Sequence, residues 1–399
     1  MSEQLRRLTE VAKINPRRRT IERADDALTS FVPMEAVDDV LGEVTQVVSQ
    51  PFLKIRKGYT YFENGDVIFA KITPCMQNGK HAVVSDLIDG FGFGSTEFHV
   101  VRASPEVLPE WIHYFLRRRE TLDAAIKTFT GAVGQQRVPP SFLENLELPV
   151  PPVEEQRQIA ARLKAQLTEV ETARQAAQAQ VRDAALLYTK LVDAAFDGCN
   201  QWQPIAAVAR VQSGYAFKSE DFKSTGMRLL RNTNILPGKV YWDSVVYLDE
   251  RAAGYYPGYA LEEGDVLISL DRPLISSGIK VARVRADDVP SLLLQRVGRF
   301  LLKPGVIDPG FLYAFLQSSR FIDAISGHDQ SLGVPHISPG QVESVDLPLL
   351  SLHEQQRLVS RLQSQLTEAD AIAQAAAAQL AEIERLPQRL LAQAFDLGA

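Results

Sequence analysis

The sequence predicts an α+β fold built as an internal, pseudo-twofold repeat: two globular units, each followed by a long helix, the two helices pairing antiparallel as a coiled-coil spacer. Three observations lead there. One register offset relates distant segments of the chain, a seven-residue apolar period follows each globular part, and short alternating strands introduced by Gly-Asp turns recur inside the globular parts.

The offset is 199 residues (354 − 155 = 199). Leu148-Pro149 opens a segment containing Glu155-Gln156, Arg162-Leu163 and Gln166-Leu167-Thr168-Glu169; Leu347-Pro348 opens one containing Glu354-Gln355, Arg361-Leu362 and Gln365-Leu366-Thr367-Glu368. The same shift carries Glu63-Asn64-Gly65-Asp66-Val67 onto Glu262-Glu263-Gly264-Asp265-Val266, and Ala195-Phe196-Asp197 onto Ala394-Phe395-Asp396. One register held across three separated segments means a duplicated unit, with boundaries expected at 1–150, 151–198, 199–349 and 350–399.

Within the globular parts, Val67-Ile68-Phe69-Ala70 and Val266-Leu267-Ile268-Ser269 read as strands after Gly-Asp turns. Trp111–Arg119 and Phe311–Gln317 read as matching helices behind Pro109 and Pro309, and each unit returns by a strand ending at Leu148 or Leu347. Pro151-Pro152 with Glu154 and Glu155 suits a helix start, Gly198 suits its stop, and Ser351-Leu352-His353-Glu354 is a capping-box pattern. The first helix carries Gln156, Leu163, Val170, Ala177, Ala184 and Leu191 interleaved with Ala160, Leu167, Arg174, Val181, Tyr188 and Ala195, a coiled-coil seam. The second carries Gln355, Leu362, Ala369, Ala376, Ile383 and Leu390 with Val359, Leu366, Ala373, Leu380, Pro387 and Ala394. Pro387 lacks the N–H a helix interior needs, so a kink or break is expected near Leu386.

Composition narrows the class. The chain has 399 residues, 45% hydrophobic and 23% charged, ordinary for a globular protein. MSEQLRRLTE lacks the apolar middle of a signal peptide and no stretch approaches a membrane span, so a cytoplasmic location is expected. Cys75 and Cys199 stand far apart in no metal-ligand spacing. A net charge of −6 counts against a general nucleic-acid coat protein, although positive and negative residues are nearly balanced within each globular part.

Leu148 to Arg157, followed by a long helix ending in Ala195-Phe196-Asp197-Gly198, resembles the spacer of type I restriction-modification specificity subunits. Gly65 to Cys75, with Gly79-Lys80 and Gly94 to Phe98, is similar to their target recognition domains, as are Ser213 to Lys218, Arg231 to Ile235 and Gly264 to Ile268. The second spacer departs from the first in having Leu349-Leu350-Ser351 for Val150-Pro151-Pro152, besides Pro387. The resemblance implies two target recognition domains, a bipartite DNA target with an unread gap, two docked methyltransferase subunits and two motor-nuclease subunits. It implies no catalysis and no cofactor in this chain, with S-adenosylmethionine, ATP and magnesium used by the partners. It also assigns partner docking to Glu155, Gln156, Arg157, Glu354, Gln355 and Arg357.

Amides pair bidentately with adenine and cations serve guanine or phosphate. In the first domain the candidates to contact DNA are therefore Lys71, Thr73, Gln77, Asn78 and Lys80, in and after a strand-to-loop transition. Ser95, Thr96 and Glu97 either read base edges or hold a turn, and Gln135 and Arg137 end a glycine-rich loop that is either a groove reader or a connection. In the second domain the candidates are Ser213, Tyr215, Lys218, Arg231, Asn232 and Asn234, then Arg272, Gln295, Arg296, Ser331 and His336 by position in the repeat. The runs Arg17-Arg18-Arg19 and Arg117-Arg118-Arg119 either grip phosphates or are exposed helix charge.

Of the rival classes, an autonomous enzyme lacks its signatures. Gly90-Phe91-Gly92-Phe93-Gly94 leads into strand-like Phe98-His99-Val100-Val101 instead of a helix, there is no methyltransferase Asn/Asp-Pro-Pro-aromatic motif and no P-loop, and Asp221-Phe222-Lys223 is too common a triplet to mark a nuclease. A duplicated coiled-coil adaptor without DNA specificity is the alternative.

Overall fold

The computed structural model describes residues 5–132, 134–326 and 336–396. They form two compact units, unit 1 comprising residues 1–178 with 378–399 and unit 2 residues 179–377. Each long helix therefore begins in one unit and ends in the other.

Unit 1 holds two four-stranded sheets. In the first, Ala12–Ile14, Phe98–Ala103, Val67–Ala70 and His81–Val83 run antiparallel in that order. In the second the order is Val48–Pro51, Leu28–Val32, Phe91–Gly94, Thr60–Glu63, with the middle pair parallel. Unit 2 repeats the first sheet as Ala209–Ser213, Val297–Leu302, Val266–Ser269 and Val281–Arg283. Its second sheet keeps the parallel pair, Met227–Leu230 beside Ser291–Leu293, but has Val246–Leu248 on the outer side and, among the described residues, no strand corresponding to Thr60–Glu63. A two-stranded return closes each unit, Leu5–Arg7 with Glu147–Pro149 and Trp202–Pro204 with Asp346–Pro348.

Local chemistry repeats with the strands. Gly65 and Gly264 have φ of +84° and +95°, a region that a Cβ disfavours. The carboxylates of the next residues, Asp66 and Asp265, accept from the backbone N–H of Glu63 and Glu262 at 2.7 and 2.9 Å, closing the same turn twice. The Gly90–Gly94 run enters a sheet as Phe91–Gly94, and a Cβ on Gly94 would lie 2.5 Å from the carbonyl of Val32. These glycines let two strands and Phe62 pack closely, a role remote from cradling a phosphate.

Each unit closes around one main apolar core. In unit 1, Trp111 and Phe115 of helix Pro109–Leu116 pack on Phe395, with centroids 4.4 and 5.3 Å apart. In unit 2, Phe311 and Phe315 of helix Pro309–Phe315 pack on Phe196 at 5.7 and 5.6 Å. Phe196 and Phe395 stand 199 positions apart, so the duplicated Ala-Phe-Asp ending seals both cores.

The long helices span Val153–Ala194 and Leu352–Phe395, about 63 and 66 Å at 1.5 Å per residue. All twelve seam positions predicted in each are buried or half-buried. Ser351 and Glu354 form the expected cap, Glu354 accepting from the Ser351 N–H and hydroxyl at 2.9 and 2.6 Å.

The break expected at Pro387 does not occur: the helix runs through it to Phe395. The lost N–H and the ring's crowding of the Ile383 carbonyl are offset by the packing of the helix's last two turns. Leu391, Ala394 and Phe395 are buried in the unit 1 core, and Gln388 accepts from the Arg119 N–H at 2.7 Å while donating to the Arg117 carbonyl at 3.1 Å.

Candidate nucleic-acid interface

Part of the candidate set meets at one strand end of each unit, on a backbone frame that both units build in the same way. In unit 1 the strand Val67–Ala70 runs out into Lys71, whose N–H donates to the Glu97 carbonyl at 2.9 Å and whose carbonyl accepts from Val138 at 2.9 Å, while Ile72 bridges to Arg137. In unit 2, Leu270 donates to the Arg296 carbonyl at 2.8 Å and accepts from Ile337 at 3.0 Å, while Asp271 bridges to His336. Every partner is displaced by the same 199 positions. Three chain segments far apart in sequence thus meet at one strand end.

The side chains on the shared frame differ. In unit 1, Arg137 makes a bidentate pair with Glu97, Nε and Nη2 each 2.9 Å from a carboxylate oxygen. The hydrogen bonds from Arg137 hold the Glu97 carboxyl below its usual range. Beneath the pair, His99 is buried, and burial pushes its pKa down. A neutral ring donating from Nε2 to the Val138 carbonyl at 2.9 Å and accepting at Nδ1 from Asn15 at 3.1 Å satisfies both contacts. Gln77, Asn78, Thr96 and Gln135 are exposed around this edge, and Lys71 and Ser95 are half-buried. Thr73 is half-buried too, with an enclosed, unpartnered hydroxyl.

In unit 2 the frame opens on a cleft of about 520 Å³ lined by Asn232, Asp271, Arg272, Lys280, Arg296 and His336 together with apolar Ile235 and Ile275. Asp271 is the hub: its carboxylate accepts from the Asn232 amide at 3.2 Å and lies 3.5 Å from Arg296 and 3.1 Å from His336. Arg296 Nη1 is 3.4 Å from both ring nitrogens of His336. In the ring plane such an equidistant approach would collide with Cε1, so the guanidinium lies over the imidazole face. Arg272 and Arg296 have φ of +48° and +69°, sparsely populated for residues with a side chain. Burial lowers the pKa of Lys280 against the raising influence of Asp271.

Elsewhere the structure redirects the expectations. Asn234 is buried, its amide donating to the carbonyls of Tyr241 and Ser244 at 3.0 and 3.1 Å and its oxygen accepting from the Arg231 N–H, so it is an internal brace and offers no edge to a base. Arg231 braces the same loop through Ser244. Lys80 donates to the Val37 carbonyl at 2.6 Å. Gln156 and Gln355, expected as partner contacts, are buried inside their own units. Gln156 accepts from Leu108 N–H at 2.8 Å and donates to the carbonyls of Glu106 and Pro151; Gln355 does the same with Asp308, Val306 and Leu350. Each glutamine therefore ties its helix start to its globular part, while Glu155, Arg157, Glu354 and Arg357 remain exposed. Arg117 donates to the carbonyls of Gly79, Asp39 and Val40, which removes it from any phosphate grip. Arg18 and Arg19 lie over the rings of Phe93 and Phe91.

Ser213, Tyr215 and Lys218 are exposed, with the Tyr215 ring packed at tilted and edge-on angles among Phe217, Tyr256 and Tyr259 and its carbonyl accepting from the Gln295 N–H at 2.9 Å. Ser331 lies outside the described residues, as does Val133 of the glycine-rich loop. Asp271 and Lys280 were missed from sequence; the register signal existed for Asp271, which falls 199 positions after Ile72 on the frame.

Two copies of an α+β unit, each presenting a polar edge at the end of its central strand and each tied to a long helix, define a duplicated recognition module. The family model for the type I restriction modification DNA specificity domain matches residues 3–179 and again 201–384. The EcoAI type I restriction enzyme specificity subunit of Escherichia coli is 30% identical, aligned over 89% of this chain and 76% of its own length. The MjaVIII specificity subunit of Methanocaldococcus jannaschii is 31% identical over 64% of this chain and 62% of its own length. Among solved structures, a chain from a study of complex assembly and conformational transition in the type I R-M system superposes with a TM-score of 0.77 at 20% identity over 98% of this chain and 97% of its own. The HsdS subunit from Thermoanaerobacter tengcongensis gives 0.65 at 21% over 98% and 96%. The chain belongs to the type I restriction-modification DNA specificity family, and its function is DNA sequence recognition as a non-catalytic subunit. No described helix is long and apolar enough to cross a membrane.

Proposed function

We propose that the chain reads a bipartite DNA target with a fixed unread gap, one half-site per unit, and acts in the cytoplasm. The recognition domains correspond to residues 1–150 and 199–349, and the spacer to 151–198 and 350–399. The observation that carries this reading is the shared frame: one polar edge, built on the same backbone hydrogen bonds, occurs once in each unit. We assign Lys71, Thr73, Gln77, Asn78, Ser95, Thr96, Glu97, Gln135 and Arg137 to the first half-site and Ser213, Tyr215, Lys218, Asn232, Arg272, Gln295, Arg296 and His336 to the second, with Ser331 assigned there from its place in the repeat alone.

The spacer reading is an antiparallel helix pair. Its support comes from within each unit, where Leu163 and Leu167 share a core with Leu390 and Leu391, and Tyr188 and Val192 share one with Leu358 and Leu362. Low residue numbers of one helix meet high numbers of the other in both cases. The partners are duplex DNA, two methyltransferase subunits and two motor-nuclease subunits, which carry S-adenosylmethionine, ATP and magnesium. With a net charge of −6, the isolated chain binds DNA weakly and relies on those partners for much of the phosphate contact.

The test is co-expression with its methyltransferase subunit, followed by genome-wide mapping of methylated adenines. Two short half-sites at a constant spacing are expected. A stable complex that yields no motif, or a contiguous one, rules the reading out.

A further inference from the structure

Around the frame, unit 2 holds three cations, Arg272, Arg296 and Lys280, against one carboxylate, Asp271. The unit 1 frame carries Lys71 and Arg137 against Glu97, and Arg137 is tied up by Glu97 through two nitrogens, so its excess of free cations is smaller. The position of Glu97 is occupied in unit 2 by Arg296, and that of Arg137 by His336.

The Arg296 side chain is 55% exposed yet held on two sides, by the Asp271 carboxylate and by the face of the His336 ring. All of these contacts are made by Nη1, and among the described residues Nη2 and Nε make no hydrogen bond, which leaves that edge of the fork for a bidentate acceptor. Such an edge matches the paired acceptors O6 and N7 of guanine, the commonest specific contact that an arginine makes to a base. The left-handed backbone at both Arg272 and Arg296 adds to the case, since strained conformations of this kind persist where the surrounding structure over-determines them and cluster at functional sites.

We propose that Arg296, assisted by Arg272, is the specificity-determining side chain of unit 2 and reads guanine in the major groove, with Asp271 and His336 as its positioning residues. The inference rests on the assignment of one half-site to each unit. It predicts a guanine in the half-site read by unit 2 whose replacement is the most damaging substitution there.

The test uses the methyltransferase complex and a panel of duplexes in which each base pair of both half-sites is varied in turn. The wild-type complex is measured alongside Arg296→Lys, Arg296→Ala and Asp271→Asn. Arg296→Lys keeps the charge and loses the fork. Discrimination at one G·C pair is expected to fall roughly 10- to 100-fold in both Arg296 variants and by a smaller factor in Asp271→Asn. The other half-site, the gap and the salt slope of Arg296→Lys stay as in wild type. A uniform loss of affinity across all duplexes, with a shallower salt slope in Arg296→Ala, means a phosphate contact and overturns the proposal, as does an unchanged base preference. A wild-type complex with no bipartite preference overturns the half-site assignment itself, a distinguishable failure. Thermal unfolding of each variant separates loss of reading from loss of fold, and Arg296→Lys, which removes no charge from the cleft, keeps the outcome decisive if Asp271→Asn unfolds.

Discussion

Unit 1 and unit 2 share their central sheet, the closing Phe of the Ala-Phe-Asp segment, the buried glutamine at the helix start and the three-segment frame, all in one register. They differ in what stands on that frame and in what is buried behind it. Unit 1 carries a closed Glu97–Arg137 pair, unit 2 an open cation-rich cleft. Unit 1 also buries three histidines: His99 under the frame, His81 stacked on Phe69 at 4.1 Å with both nitrogens unpartnered, and His113 on helix Pro109–Leu116. Among the described residues, unit 2 buries none. Duplication preserved the backbone frame and the contacts that close each core, while the side chains on the frame and some of those buried behind it diverged.

Damage to a shared feature should cost both units most. Replacing Gln156 or Gln355 by Leu leaves one backbone N–H and two carbonyls of the same unit without their partner. At about 1–3 kcal/mol for each buried group left unsatisfied, a loss of about 3 kcal/mol or more is expected from either variant. Chemical denaturation should give similar losses for the two; a loss confined to one would break the equivalence of the helix junctions.

Acid should separate the units. Burial, with a smaller contribution from Arg117, holds the His81 and His113 pKa values well below that of a free imidazole. These groups are neutral when folded and take up a proton on unfolding below about pH 6.5, so stability falls as pH drops through that point, by at most about 1.4 kcal/mol per pH unit for each histidine. Unit 1 should therefore unfold first on acidification, read by hydrogen exchange of residues 60–130 against 260–320. His81→Phe, which keeps the stack on Phe69, should flatten the pH dependence; an unaltered profile would contradict it.

A smaller effect is expected from Glu97→Gln. The pair it breaks is partly exposed, so stability should move by no more than about 1 kcal/mol at neutral pH. The pair's own contribution is present above the carboxylate range and is lost as pH falls through the depressed value of Glu97. Freed from Glu97, Arg137 should alter base preference in the half-site of unit 1 alone, in the same duplex panel; a change in both half-sites would argue that the frames are not independent.

The repeat was legible because a duplication writes its register directly into the sequence, and the twelve positions that a seven-residue count picks out in each helix are all buried or half-buried. The polar residues were harder to place. Asn234, Lys80 and Gln156 sit in motifs that look functional, and their fates depend on partners 7, 43 and up to 50 positions away. Local pattern cannot tell an amide that faces a groove from one that caps a distant loop, because both need a polar side chain at a turn or helix start. Pro387 misled for a related reason: the rule for an isolated helix is sound, and tertiary packing of Leu391, Ala394 and Phe395 outweighs it. Arg272, Arg296 and His336 came from reading the register of unit 1 onto unit 2, whereas Asp271 is an acid at a position where unit 1 has Ile72.

Whether each unit reads its own half-site is decided by a domain exchange. Residues 1–150 would be replaced by the corresponding segment of a relative with a different target, and methylation mapped for the resulting complex. With autonomous units, one half-site changes to that of the donor while the other half-site and the gap remain. A change in both half-sites, or in neither, would contradict that autonomy.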